Sequence, residues 1–154
     1  MACEAIAYAR AGLIGNPSDG YFGKTISFTM RDFGAKVSFY EHPEVEIVPS
    51  MRDRSTYASV RDLVEDVQHF GYYGAIRLVK AAIRKFVDYC DQEKIALPDR
   101  NFQVRYRTTI PRHVGLAGSS ALVTATMKCL IEFYEVEIPR EILPNLILSV
   151  ETEE

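Results

Sequence analysis

The chain has 154 residues, 47% of them hydrophobic, and a formal charge of -3. That is enough apolar material for one domain with a real core, and the slightly acidic balance argues against a dedicated nucleic-acid binder, which would show a basic excess. No apolar run approaches the roughly 18 residues that a membrane-spanning helix needs. The start, MACEAIAYAR, carries an acid where a secretory leader would carry positive charge. Cys3, Cys90 and Cys129 are odd in number, far apart and without a C-x-x-C pair, so they are expected as reduced, buried thiols of a cytoplasmic protein, not as metal ligands. His42, His69 and His113 share no ligand spacing.

In chain order, residues 4 to 9 alternate loosely and predict a first strand ending at Arg10. The stretch GLIGNPSDGYFG, residues 12 to 23, has the vocabulary of a structured loop. KTISFTM and GAKVSFY are rich in β-branched and aromatic residues and predict two strands with RDFG as the turn between them; EVEIVP predicts another short strand. Residues 50 to 71 are polar and mixed, with a short helix expected around Asp62 to Phe70. From Gly74 the period changes: Ile76, Val79, Ile83, Phe86 and Cys90 recur at helical spacing. FQVRYRTTIP then alternates, with Phe102, Val104 and Tyr106 on one face and Gln103, Arg105 and Arg107 on the other, as a half-buried strand does. An apolar helix is expected from Ser119, and a last one from near Arg140 or Pro144. Strands, helix, strand, helix, helix predicts an α+β sandwich, with helices on one face of a mostly antiparallel sheet.

The stretch that carries chemistry is PRHVGLAGSSALVTATMKCL, residues 111 to 130. A strand, then G-L-A-G-S-S-A, then a helix suits a phosphate group. Gly115 and Gly118 let the backbone turn and come close to a ligand. The first-turn amides around Ser119, Ser120 and Ala121 have no partner inside the helix, and with the helix dipole they favour an anion. No G-K-[ST] follows, so the loop is not of Walker A type. The same residues equally fit a tight strand-to-helix connection with a serine N-cap.

The segment P-R-H-V-G-L-A-G-S-S-A resembles the second motif of the GHMP kinases, P-x-x-x-G-L-x-S-S-A, matching at Pro111, Gly115, Leu116, Ser119, Ser120 and Ala121, with one extra residue before the serines. ARAGLIGNPSDGYFG is similar to the first motif of that family, and the two lie roughly 100 residues apart in the family's order. Among its members the pattern resembles the glucuronokinases, with G-N-P-S-D and Y-F-G near the start, I-P-R before G-L-x-G-S-S-A, and P-N-L-x-L-S-x-E near the end.

This resemblance implies a fold of the ribosomal protein S5 domain 2-like type and an ATP-dependent sugar-1-kinase that converts glucuronic acid to glucuronate 1-phosphate. It places residues 115 to 121 (Gly115, Leu116, Ala117, Gly118, Ser119, Ser120 and Ala121) around the ATP phosphates, and Arg10 beside the reacting hydroxyl. It assigns Asn16, Asp19 and Tyr21 to the sugar, and Ser120 with Glu151 to Mg²⁺. Asn16 and Pro17 stand where galactokinases have a Glu-His pair, a departure that suits an acidic sugar. By spacing alone, Asp19 is also a turn former, and the ETEE run is also a solvated surface. The family's downstream catalytic Asp and third glycine-rich motif are not in the chain. Residues 1 to 154 are therefore expected to be an incomplete N-terminal ATP-binding domain whose partner, the C-terminal domain, lies in cis or on a separate chain. Another sugar or small alcohol as acceptor, or a non-catalytic sensor on the same fold, are the alternatives.

Overall fold

A computed structural model describes residues 2–15, 21–49 and 75–152. Strict alternation builds the first strand, β1 (Ala2–Ile14): Cys3, Ala5, Ala7 and Ala9 are buried while the residues between them face outward. It runs past Arg10, where the sequence predicted an end, because its partner continues beside it. That partner, β2 (Ile26–His42), is one strand where two were expected. The residues read as a turn form a bulge instead: pairing steps from Tyr8 opposite Gly34 to Ala9 opposite Met30, leaving residues 31–33 looped out. A bulge and a turn use the same small and polar vocabulary, which is why the composition misled.

The short β3 (Glu46–Val48) is parallel to β4 (Asn101–Thr108), and β4 is antiparallel to β2, giving a four-stranded sheet of order β1-β2-β4-β3. Phe102, Val104 and Tyr106 point inward as predicted, and Arg105 and Arg107 point to solvent. On that outer face Lys36 pairs with Glu4, which also accepts a hydrogen bond from Ser38 Oγ at 3.0 Å.

The helices cover the other face. α1 (Ala75–Gln92) buries Val79, Ala82, Phe86 and Cys90. α2 (Gly118–Tyr134) is apolar on nearly every side and lies between the sheet and the other helices, packing on β1, β2, α1 and α3 (Leu143–Thr152). The small side chains of β1 let α2 come close. Its one buried hydroxyl, that of Thr126, donates to Leu122 O at 2.9 Å and so leaves no unpaired group. Glu135, left-handed at φ 57°, ends the helix, and Val136 N–H returns to Ile131 O at 3.0 Å. The core closes on an aromatic cluster. Phe39 stacks on Phe102 with centroids 4.0 Å apart, and Phe133 meets Phe102 edge-on at 5.5 Å.

Cys3, Cys90 and Cys129 are free, buried thiols. Burial pushes the Cys90 thiol up, and a hydrogen bond shared with Cys3, then burial, does the same to Cys129. No described helix is long and apolar enough to cross a membrane. The helix expected around 62–70 lies outside the described residues.

Candidate functional site

Immediately after β4, the chain is pinned to the sheet before it enters the glycine-serine loop. Thr109 N–H donates to Gly34 O at 3.0 Å, and Gly34 N–H donates to Thr109 Oγ1 at 3.0 Å. Ile110 is buried beside this clamp. The loop then takes three left-handed residues in alternation: His113 at φ 60°, Gly115 at 72° and Ala117 at 53°. Only the middle one is glycine, and a Cβ built on it would meet nothing within 4 Å. The backbone at Gly115 therefore borders open space, where another group can approach closely.

Ala117 is the N-cap of α2, with φ 53° and ψ 44°, and no side chain caps the helix. The serine N-cap that the sequence offered as an alternative does not form. The left-handed turn at Ala117 carries both serines into the first helical turn. The first helical bond runs from Ala121 N–H to Ala117 O at 3.0 Å, so the amides of Gly118, Ser119 and Ser120 precede it and have no partner inside the helix. They form the positive end of a 17-residue helix.

These elements wall a cavity of about 500 Å³, within the size range of ligand sites. Gly115, Leu116, Ala117, Gly118 and Ser119 supply one wall. Leu78, Ile110, Leu122 and Val150 make an apolar side, and Arg77, Arg112, His113 and Glu151 bring charge and hydrogen-bonding capacity. Ser120 Oγ donates to Glu151 Oε2 at 2.7 Å, joining the start of α2 to the last turn of α3. Glu151 is thus half-buried, whereas an acidic run alone suggested a wet surface. A hydroxyl and a carboxylate side by side are hard oxygen donors suited to Mg²⁺. The uncapped amides and the open space over Gly115 likewise fit phosphate oxygens.

The sequence-predicted residues divide into three groups. Residues 115 to 119 and Glu151 line one cavity, with Ser120 attached through its bond to Glu151. Ala121 turns into the core. Arg10 is tied to the loop by its backbone, its N–H donating to Leu116 O at 3.2 Å, but its exposed side chain is not part of the cavity wall. Tyr21 is 82% exposed and also stands away from the wall. Asn16 and Asp19 lie outside the described residues. Sequence reasoning missed Arg77, Leu78 and Val150. Their only signal was a place on helices whose packing partners the sequence does not announce.

Residues 77–154 match the model of the GHMP kinases N terminal domain. Two Arabidopsis thaliana proteins are similar along nearly the whole chain. One, a probable glucuronokinase 2, is 44% identical over 97% of this chain and 42% of its own length; the other, glucuronokinase 1, is 42% identical over 99% and 43%. The chain therefore spans well under half the length of these curated relatives. Among solved structures, a Lactococcus lactis galactokinase complexed with galactose matches 99% of the chain and 38% of its own length, with a TM-score of 0.74 at 18% identity. A mevalonate kinase matches 98% and 46%, with a TM-score of 0.72 at 22% identity. At these identities the two structures speak to the fold, which is the mixed arrangement of sheet and helices described above.

Proposed function

The chain belongs to the GHMP kinases, and on that premise we propose that it is the nucleotide-binding part of an ATP-dependent sugar-1-kinase acting on glucuronic acid in the cytoplasm. The observation that carries this reading is the cavity where an uncapped helix start, an open glycine and the Ser120–Glu151 pair converge. Its likeness to two glucuronokinases at 44% and 42% identity supports the choice of acceptor.

In this reading the amides of Gly118, Ser119 and Ser120 donate to the phosphate oxygens of ATP, and Gly115 lets the backbone reach them without a side chain in between. Ser120 and Glu151 would hold Mg²⁺, which when bound would neutralise charge on the phosphates. The anomeric hydroxyl of the sugar attacks the γ-phosphorus; its proton passes to water, the bond to the β-phosphate bridging oxygen breaks, and ADP leaves. Arg10, on the strand bonded to the loop at Leu116, stabilises charge on the acceptor side. Asn16, Asp19 and Tyr21 hold sugar hydroxyls, with Asp19 as a pure acceptor. The remaining length of the relatives supplies a C-terminal domain, which this chain requires for turnover.

ADP release by the full-length polypeptide, measured with Mg·ATP and a panel of sugars beside the 154-residue chain, tests this. Turnover with glucuronic acid by the long form only is expected. Turnover with a different acceptor would move the substrate within the same family. Nucleotide binding without any turnover would replace the kinase by a sensor.

A further inference from the structure

The segment from Thr109 to Leu116, which leads into the cavity wall, is bonded to the β1–β2 hairpin at both ends, and the bulge in that hairpin lies between the two bonds. One anchor is Gly34, the first residue of β2 after the looped-out residues 31–33. The other is Arg10, on the far side of the bulge, whose N–H donates to Leu116 O at 3.2 Å. A bulge bends its strand and increases the local twist, so its geometry sets where the hairpin beyond it points. That outer stretch carries Arg10. The ladder between β2 and β4 ends at Ala35 opposite Thr108, and Thr109 takes both backbone groups of the next residue, Gly34. The Thr109 N–H donates to Gly34 O at 3.0 Å; its hydroxyl accepts from Gly34 N–H at 3.0 Å and donates back to Gly34 O at 3.3 Å. One hydroxyl can do both, having a proton and two lone pairs.

We infer that Thr109 is a positioning residue: by holding both backbone groups of Gly34, its side chain fixes the bend of the bulge and with it the placement of Arg10 against the glycine-serine loop. Gly34 has no side chain of its own to brace the bulge, and an added Cβ would lie 3.3 Å from Ala7 O. The brace therefore comes from the neighbouring chain. The backbone bond alone is a single attachment about which the strand can pivot; the hydroxyl adds a second and removes that freedom. Thr109 is exposed and is not part of the cavity wall, so neither core packing nor direct contact with a ligand there accounts for the side chain. The part that Arg10 takes in the reaction rests on the proposed function; the mechanical link from Thr109 to Arg10 does not. Misplacing a reacting group by about 1 Å can cost on the order of a hundredfold in rate, whereas the loss of one exposed hydrogen bond changes folding little.

Thr109→Val keeps the branched shape and the backbone bond and removes only the hydroxyl; Thr109→Ser puts the hydroxyl back. Residue-resolved hydrogen exchange and steady-state turnover are measured on the full-length polypeptide with each variant, well below its Tm. In Thr109→Val the Arg10 amide should exchange several-fold faster, although its bond is to Leu116 and not to residue 109. With glucuronic acid, kcat should fall roughly tenfold while KM for ATP stays within about twofold. Thr109→Ser should restore both. An Arg10 amide that exchanges as in the wild type, faster exchange confined to Gly34, or an active Thr109→Val polypeptide with unchanged kcat would each overturn the inference. Exchange is read without any substrate. If the polypeptide turns over no sugar, the Arg10 amide decides the inference alone, so failure of the acceptor assignment and failure of the link are told apart.

Discussion

Replacing Gly115 by alanine separates two properties that most mutations confuse. Gly115 is left-handed at φ 72°, and a Cβ there would touch nothing within 4 Å. The cost to folding is therefore torsional, not steric. An L-residue forced into this region loses about 1–2 kcal/mol, and alanine recovers roughly 0.4–1 kcal/mol by restricting the unfolded chain. The net destabilisation is therefore between about 0 and 1.6 kcal/mol, a drop of at most about 6 °C in Tm for a domain of this size. On the proposed function, affinity should suffer more, because the new methyl group would occupy the space through which phosphate oxygens reach the backbone. We expect the Kd for Mg·ATP to rise at least about tenfold, which corresponds to ~1.4 kcal/mol. Chemical denaturation and calorimetric titration on the same preparation give both numbers. Gly34→Ala is the comparison: its Cβ would come 3.3 Å from Ala7 O, so it crowds the sheet and not the open space over Gly115. It should lower stability and change nucleotide affinity less than Gly115→Ala does. A loss above about 3 kcal/mol for Gly115→Ala would mean a collision with the Cβ. A modest loss with unchanged affinity would refute the approach of phosphates to this backbone.

Ser120→Ala and Glu151→Gln should each change stability by only about 1 kcal/mol, the worth of one hydrogen bond, while sharply lowering turnover and raising the Mg²⁺ concentration it needs; a normal Mg²⁺ dependence would remove these residues from the metal site. Phe102→Ala empties the centre of the aromatic cluster, where the ring is 1% exposed and stacked on Phe39. It should cost about 3–5 kcal/mol, visible as a lower urea midpoint at unchanged slope; a change below ~1 kcal/mol would mean that the cluster repacks. The Lys36 ammonium, with help from Ser38, holds the Glu4 carboxyl below its ordinary range. Its contribution is therefore present above the unfolded pKa of about 4.3 and fades as pH falls through the lower folded value. Tm curves of wild type and Glu4→Gln should differ at neutral pH and converge in acid; a gap that stays constant down to acid unfolding would contradict the pairing.

What the sequence made legible follows from where water is. α1 and β4 each have one wet face, so Val79, Phe86 and Cys90 in the one and Phe102, Val104 and Tyr106 in the other stand out by period. α2 is buried nearly all round and shows little periodicity; its composition and the loop before it located it. Residues 31–33 misled because a bulge and a turn draw on the same residues, and pairing with a distant strand decides between them. The serine cap failed for a similar reason, since the backbone at Ala117 was free to turn left-handed without any side-chain signal. Glu151 became visible through motif position; its bond to Ser120, 31 residues away, is a product of packing α3 on α2. Arg77 entered the cavity wall by the same route.

The burial of α2 has a kinetic meaning. A dipole that must swing into place as charge develops adds reorganisation to the barrier, whereas one already fixed does not. The amides at the start of α2 are held by a helix whose other residues, Val123, Met127, Leu130 and Phe133 among them, are locked in the core. Their orientation is thus set during folding, before any nucleotide arrives. On the proposed function, core residues that never meet a substrate become determinants of rate: loosening the far end of this helix should slow phosphoryl transfer even in molecules that remain folded.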